Sequence, residues 1–208
     1  MFRCAAAATA LLVACLVLVN HAESGQFNQK LKIGDAAPIF TGLESTDGKS
    51  YSLDNFKDKD VLVVCITCNH CPVAVAYEER IVAFNKKYCG PDGKVGFVAI
   101  NVNNNDADKL PRMKERAKER GFNFAYAYDP SQKVGRDLGA SVTPEFFVYN
   151  KSRQLVYMGS MDDSQQPARI KNRYLEAAVE AALKGETPAT AETRPFGCSV
   201  QYERKSQQ

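Results

Sequence analysis

Histidine is nearly missing from this chain, and its scarcity is the first thing that narrows the chemistry. Among 208 residues only His21 and His70 are histidine, and tryptophan is absent altogether. His21 falls in an N-terminal segment read below as removable, and no second Cys-x-x-Cys accompanies Cys68 and Cys71. A four-ligand zinc site built from cysteine and histidine is therefore short of ligands. Charge of one sign is lacking as well. The net charge of +3 comes from 27 basic and 24 acidic residues, mixed along the chain, which gives no footprint for nucleic acid. Lys114 to Arg120 alternates sign and reads as a solvated helix face. No internal repeat is present, which excludes solenoid architectures. The longest apolar run, Ala5 to Val19, reaches about 15 residues where a membrane-spanning helix needs ~20. What remains is enough for one well-buried domain.

Arg3, the apolar run and the small and polar residues after it have the form of an export signal, with cleavage after Ala22. Leu12-Val13-Ala14-Cys15 also resembles a bacterial lipoprotein box, which would place a lipid on Cys15 and tether the protein to a membrane. The run continues past Cys15 to Val19, which suits a signal core better. Residues 1–22 are accordingly read as a signal peptide, and the protein as exported, periplasmic or otherwise extracytoplasmic, membrane-tethered only if Cys15 is lipidated. The mature chain keeps Cys65, Cys68, Cys71, Cys89 and Cys198. An odd number leaves at least one thiol free or intermolecular.

What the chain does have is Cys68-Asn69-His70-Cys71 directly after the apolar run Val61 to Thr67. That run is short and β-branched, as in a strand buried on both faces. Tyr77, Ile81, Phe84 and Tyr88 then recur at helical spacing, so a helix starts close to the cysteines, with Pro72 in its first turn. A thiol at a helix N-terminus meets unpaired N–H groups and the positive end of the dipole, which favours thiolate. Two intervening residues let both sulfurs meet across one turn, so the pair can close and reopen as a disulfide. Half of a metal site is the competing reading of Cys-x-x-C, and a solvent-facing turn residue is the competing reading of His70. Cys65, inside the strand, reads as a small core residue. Cys89 lies about 27 Å from Cys71 along the same helix and is expected to be a bystander.

Around this centre the domain is read as residues 31–184, with 185–208 as a linker and cysteine-containing tail. Extended runs flank Thr46-Asp47-Gly48-Lys49, a hairpin signal. Val95 to Val102, Phe124 to Tyr128, Glu145 to Tyr149 and Leu155 to Met158 read as further strands. Ala107 to Arg120, Gln132 to Leu138 and Ile170 to Leu183 read as helices. Strands alternating with helices over short links predict an α/β sandwich. In the tail, Glu186 to Arg194 is linker-like, and Phe196 to Tyr202 places aromatics around Cys198. It is either a disordered end or a segment that docks back on the domain, with Phe196, Val200 and Tyr202 as anchors.

The dithiol after a buried strand, with Val142-Thr143-Pro144 some seventy residues on, resembles the thioredoxin superfamily. Ile33-Gly34-Asp35-Ala36-Ala37-Pro38-Ile39-Phe40 before a hairpin is similar to its redoxin branch, which holds the alkyl hydroperoxide reductase and thiol-specific antioxidant proteins and exported thiol–disulfide reductases. Thr67 to Pro72 and Gly197 to Ser199 resemble the pattern of peroxiredoxin-like bacterial proteins. The resemblance implies an α/β, thioredoxin-like three-layer sandwich: a central mixed sheet flanked by helices, with an N-terminal hairpin. It implies Cys68 as the attacking thiol, Cys71 as the resolving one, and Pro144 as a cis-proline that with Thr143 faces the dithiol and docks a peptide. His70 would lower the Cys68 pKa, and Cys198 is a candidate third thiol. The implied activity is thiol–disulfide exchange with protein disulfides or thiols and a redox partner protein, with no cofactor and no metal. Two departures stand out: Thr67 replaces the thioredoxin tryptophan, and Val61 and Cys65 stand where peroxiredoxins carry proline and threonine. A thiol peroxidase using Cys68 is thus the alternative, and a copper-handling protein on the same fold, lacking a histidine after His70, comes last.

Overall fold

A computed structural model describes residues 25–90 and 93–204. The expected leader, residues 1–22 with Cys15, lies outside them. The Asp47-Gly48 turn joins β1 (Leu43–Glu44) to β2 (Ser50–Tyr51), antiparallel, with Gly48 at φ +79° where a side chain would be strained. The central sheet contains β3 (Val61–Ile66), β4 (Val95–Asn101), β5 (Ala125–Tyr128), β7 (Glu145–Tyr149) and β8 (Leu155–Gly159), in the spatial order β5-β4-β3-β7-β8. β4 runs parallel to β3 and β5; β7 runs antiparallel to β3 and β8, so the sheet is mixed. A short β6 (Val142–Thr143) precedes β7 outside this sheet.

Every residue of β3, β4 and β7 is buried, because the sheet is covered on both faces. Val61, Val63 and Cys65 point to one side. They meet α1 (Pro72–Tyr88), α2 (Leu110–Arg120) and α4 (Tyr174–Lys184) through Tyr77, Ile81, Phe84, Met113, Leu175 and Val179. Leu62, Val64 and Ile66 point the other way, onto Val134 and Leu138 of α3 (Lys133–Leu138) and onto Phe40 and Phe56. The result is the expected three-layer α/β sandwich.

Two helices start later than their periodicity suggests. α2 begins at Leu110 because Pro111 belongs in a first turn, and residues 106–108 form a separate 3-10 turn. α4 begins at Tyr174, after a 3-10 turn at Pro167–Arg169. The segment expected as linker is tied down. Met158 N donates to Ala191 O and Thr193 N donates to Met158 O, both at 3.1 Å, while Glu192 accepts from the backbone N–H groups of Gln26, Phe27 and Asn28. The chain then turns back across the domain and forms β9 (Cys198–Ser199).

Candidate active site

Three loops reach the same edge of the sheet. β3 and β4 are parallel and end together, which brings residues 67–71 beside residues 102–109. β7 is antiparallel to β3 with Ile66 opposite Glu145, so Thr143 and Pro144 enter that edge from the other side. The Thr143–Pro144 peptide is cis. Cys71 is the N-cap of α1, with Pro72 following it in the first turn, and its sulfur accepts from Ala74 N at 3.4 Å. As a thiol it donates to the Thr143 carbonyl at 3.2 Å, and Cys68 Sγ lies 3.2 Å from Thr143 Oγ1. Thr143 therefore touches both sulfurs, one through its side chain and one through its backbone.

The electrostatics reverse the expectation that Cys68 is the stabilised thiolate. Burial pushes the Cys68 thiol up to about 12; the Asp108 charge adds to this, and the hydrogen bond from Thr143 offsets part of it. Burial also pushes on Cys71. There, hydrogen bonds from Cys198, Ala74 N–H and the Thr143 side-chain hydroxyl outweigh it and hold the thiol below its ordinary value. The cause lies in helix geometry: free N–H groups of a first turn converge on the N-cap residue, and that residue is Cys71, three positions after Cys68.

His70 is held by a carboxylate that the sequence reading did not single out. Asp108 is fully buried and pairs with His70 Nδ1 through Oδ2. Its Oδ1 accepts from Asn69 N at 2.7 Å and His70 N at 3.2 Å. Asn105 Nδ2 donates to Asp108 Oδ2 at 2.6 Å and to Gln201 Oε1 at 3.1 Å. Gln201 Nε2 then faces His70 Nε2 at 3.4 Å. Asn105 Nδ2 also lies 3.3 Å from His70 Nδ1, so both ring nitrogens are enclosed by polar groups. Only the position of the Asn-rich loop, after a buried strand parallel to β3, offered a sequence signal for Asp108. Among the described residues, Cys68, His70 and Asp108 have donor atoms within 4.8 Å of one another and could share a metal ion. Both Asp108 oxygens are already engaged by hydrogen-bond donors.

The tail completes the site. β9 pairs antiparallel with β6, placing Cys198 opposite Thr143, and Cys198 packs on the cluster of Cys68, Cys71 and Ala74. Burial and the neighbouring Cys71 sulfur push the Cys198 thiol up, against a hydrogen bond from Val73 N–H. The anchors are Val200, which is buried, and Tyr202, whose hydroxyl donates to Ala140 O at 2.9 Å. Phe196, expected as a third anchor, is 61% exposed and serves as none. Under this cover Cys68 is 3% exposed and Cys71 0%. Cys65 is buried in β3, and Cys89 sits at the far end of α1, half-buried.

The chain has relatives in sequence and in fold. Residues 32–175 match the Redoxin family. The chain belongs to that family. No curated protein sequence matches it. Among solved structures, this redoxin is similar to a hypothetical protein from Sinorhizobium meliloti 1021, with 34% identity, a TM-score of 0.76, and coverage of 85% of this chain and 97% of that one. It is also similar to an uncharacterized conserved protein from Geobacillus kaustophilus, with 31% identity, a TM-score of 0.77, and coverage of 84% and 94%. A putative thiol:disulfide interchange protein from Chlorobium tepidum shares the thioredoxin-like fold at 22% identity and a TM-score of 0.60, covering 74% of this chain and 99% of that one.

Proposed function

We propose that this redoxin is an exported thiol–disulfide oxidoreductase that exchanges disulfides with cysteine-containing polypeptides through Cys68 and Cys71. The observation that carries the reading is the shared contact of both sulfurs with Thr143, 3.2 Å each, at the N-terminus of α1. In the reductive direction Cys68, the less enclosed thiol, attacks a substrate disulfide once its cover lifts, forming a mixed disulfide and releasing one substrate thiolate. Cys71, already favoured as thiolate, attacks Cys68 Sγ and releases the second. The oxidising direction runs the same steps backwards. A His70 ring nitrogen lies within 4.8 Å of the Cys68 sulfur, and Asp108 acts as a positioning residue that fixes the ring beside it. A redox partner protein restores the dithiol.

The test is exchange with a folded protein disulfide, measured with the mature protein. Loss of turnover in Cys68→Ser and trapping of a mixed disulfide on Cys68 in Cys71→Ser support the reading; turnover unaffected by either substitution ends it. A potential near thioredoxin's ~−270 mV assigns a reductase, one approaching ~−120 mV an oxidant. Hydrogen peroxide should oxidise Cys68 no faster than an ordinary thiol, since Val61 and Cys65 are buried inside β3 and offer no hydroxyl to polarise an O–O bond. Saturating, much faster peroxide oxidation lost in Cys68→Ser would make the protein a peroxidase. Export is checked by a native N-terminus at Glu23; a lipid-modified Cys15 would replace it with a tether.

A further inference from the structure

We propose that the dithiol has a built-in third thiol partner: Cys198, carried on β9, takes the disulfide over from Cys68 so that a Cys71–Cys198 disulfide is the product held between turnovers. The proposal rests on the dithiol reading above and deepens it. Its geometry is that of an internal substrate. β9 lies antiparallel along Val142–Thr143, the edge immediately before Pro144, with Cys198 opposite Thr143. Thr143 is also the residue that both dithiol sulfurs contact, so the strand pairing delivers the Cys198 thiol to the same point. The Cys198 side chain packs on the cluster of Cys68, Cys71 and Ala74 beside Val73 in the first turn of α1.

The seat is built for close approach. A Cβ on Gly197 would fall 2.0 Å from the Thr143 carbonyl oxygen, so only glycine lets this stretch lie against the edge. Beyond Cys198 the strand is fixed by Val200 N donating to Ser141 O at 3.0 Å, Gln201 N donating to Asn103 Oδ1 at 2.9 Å, and Gln132 Nε2 donating to Gln201 O at 2.9 Å. A tail that merely covered the site would not need a thiol at the one position facing Thr143.

The step balances without an added reagent. Two-electron oxidation by the substrate disulfide leaves Cys68 joined to Cys71. Cys198 thiolate then attacks Cys71 Sγ, the Cys71–Cys198 bond forms, and the Cys68–Cys71 bond breaks with its electron pair on Cys68. The proton lost by Cys198 is matched by one taken up by Cys68, and no net oxidation occurs. Cys68 is free again, and the oxidising equivalent sits on Cys198, which is more exposed than Cys68 or Cys71, where a partner dithiol can collect it.

The experiment oxidises the mature protein with glutathione disulfide, quenches at intervals by alkylation, and maps linkages by peptide mass spectrometry. The expected result is a Cys68–Cys71 linkage that declines as Cys71–Cys198 grows, with Cys68 becoming alkylatable again in the oxidised protein. Cys198→Ser should stop at Cys68–Cys71 with Cys68 blocked. Gly197→Ala, which touches no thiol, should lower the ratio of Cys71–Cys198 to Cys68–Cys71 by about tenfold, the effect of ~1.4 kcal/mol of strain at the seat. Formation of Cys68–Cys71 in wild type with Cys198 still free overturns the relay and leaves the dithiol reading standing. Failure of Cys68–Cys71 to form in Cys198→Ser, with no mixed disulfide on Cys68, removes both.

Discussion

Helix α1 carries a cysteine at each end, and the two ends treat the same thiol in opposite ways. Cys71 is the N-cap and is held below its ordinary pKa despite burial, because Cys198, Ala74 N–H and Thr143 all hydrogen-bond its sulfur. Cys89 is the C-cap, and burial pushes it up to about 12, with Lys59 countering only part of the effect. One end supplies unpaired N–H groups and the positive pole, the other carbonyls and the negative pole. Exposure alone would rank them the other way, since Cys71 is fully buried and Cys89 half-buried. What separates them is which backbone groups face the sulfur, and whether a second thiol stands beside it.

Substitution at the two ends gives the sharpest contrast. Cys71→Ser should lower disulfide-exchange turnover by roughly a thousandfold, about 4 kcal/mol, while Cys89→Ser stays within about twofold in the same steady-state assay. Comparable losses from both would erase the difference between the ends.

Glu145 lies behind the N-terminal end, buried, with Oε2 accepting from Ser141 N at 2.8 Å and Val142 N at 3.3 Å. Burial raises its pKa from 4.5 to about 7. Between those values the folded protein binds more protons than the unfolded chain, so stability falls as pH rises from about 4.5 to 7 and the loss is complete above that. Glu145→Gln should therefore gain up to roughly 3 kcal/mol at pH 8 and flatten the slope in urea melts from pH 4 to 8. A variant with wild-type slope would show that the hydrogen bonds, and not the buried charge, govern this residue.

Asp108→Asn should slow exchange by about thirtyfold, near 2 kcal/mol, by releasing the His70 ring and unpairing the Asn69 and His70 N–H groups. A change in the pH profile of Cys68 alkylation should accompany it, a readout that simple loosening of the fold would not give. The smallest effect concerns the cover alone. Gly197→Ala should raise Cys68 alkylation by about tenfold as β9 lifts, with Cys89 labelling in the same sample unchanged as the reference from the other end of the helix. Equal acceleration at Cys89 would mean general unfolding in place of local uncovering.

The strands were the most legible part of the sequence. β7 has the limits its apolar run indicates, and β3 ends one residue earlier, because a strand buried on both faces leaves an uninterrupted run with sharp edges. Cys68, His70, Cys71, Thr143 and Cys198 do meet at one sheet edge, which local pattern together with family likeness was able to place. Asp108, Asn105 and Gln201 were not legible. Their partners lie 38, 96 and 131 positions away, and an Asn-rich loop looks alike whether or not a histidine closes over it. The helix starts where Pro72 indicates, yet the stabilised sulfur is Cys71 and not Cys68, because the largest favourable hydrogen bond on Cys71 comes from Cys198 on the returning tail, which no local pattern places there. Phe196 shows the limit of reading anchors from aromaticity: it stands exposed although Cys198, two residues on, is docked.

The stretch at Ala191–Thr193 has a consequence of another kind. A five-stranded sheet has two outer strands whose unpaired backbone groups invite another chain to add on. Ser45 and Thr46 of the hairpin region close the β5 side, Ser45 bridging Ala127 and Thr46 N donating to Tyr126 O at 3.0 Å. Glu192 closes the β8 side by bridging Met158. The same tail that reaches the dithiol thus also covers the β8 edge, and the two duties divide at about Arg194. Chains cut after that residue should lose the thiol cover and stay dispersed, whereas chains cut before Ala191 would bare β8 and self-associate.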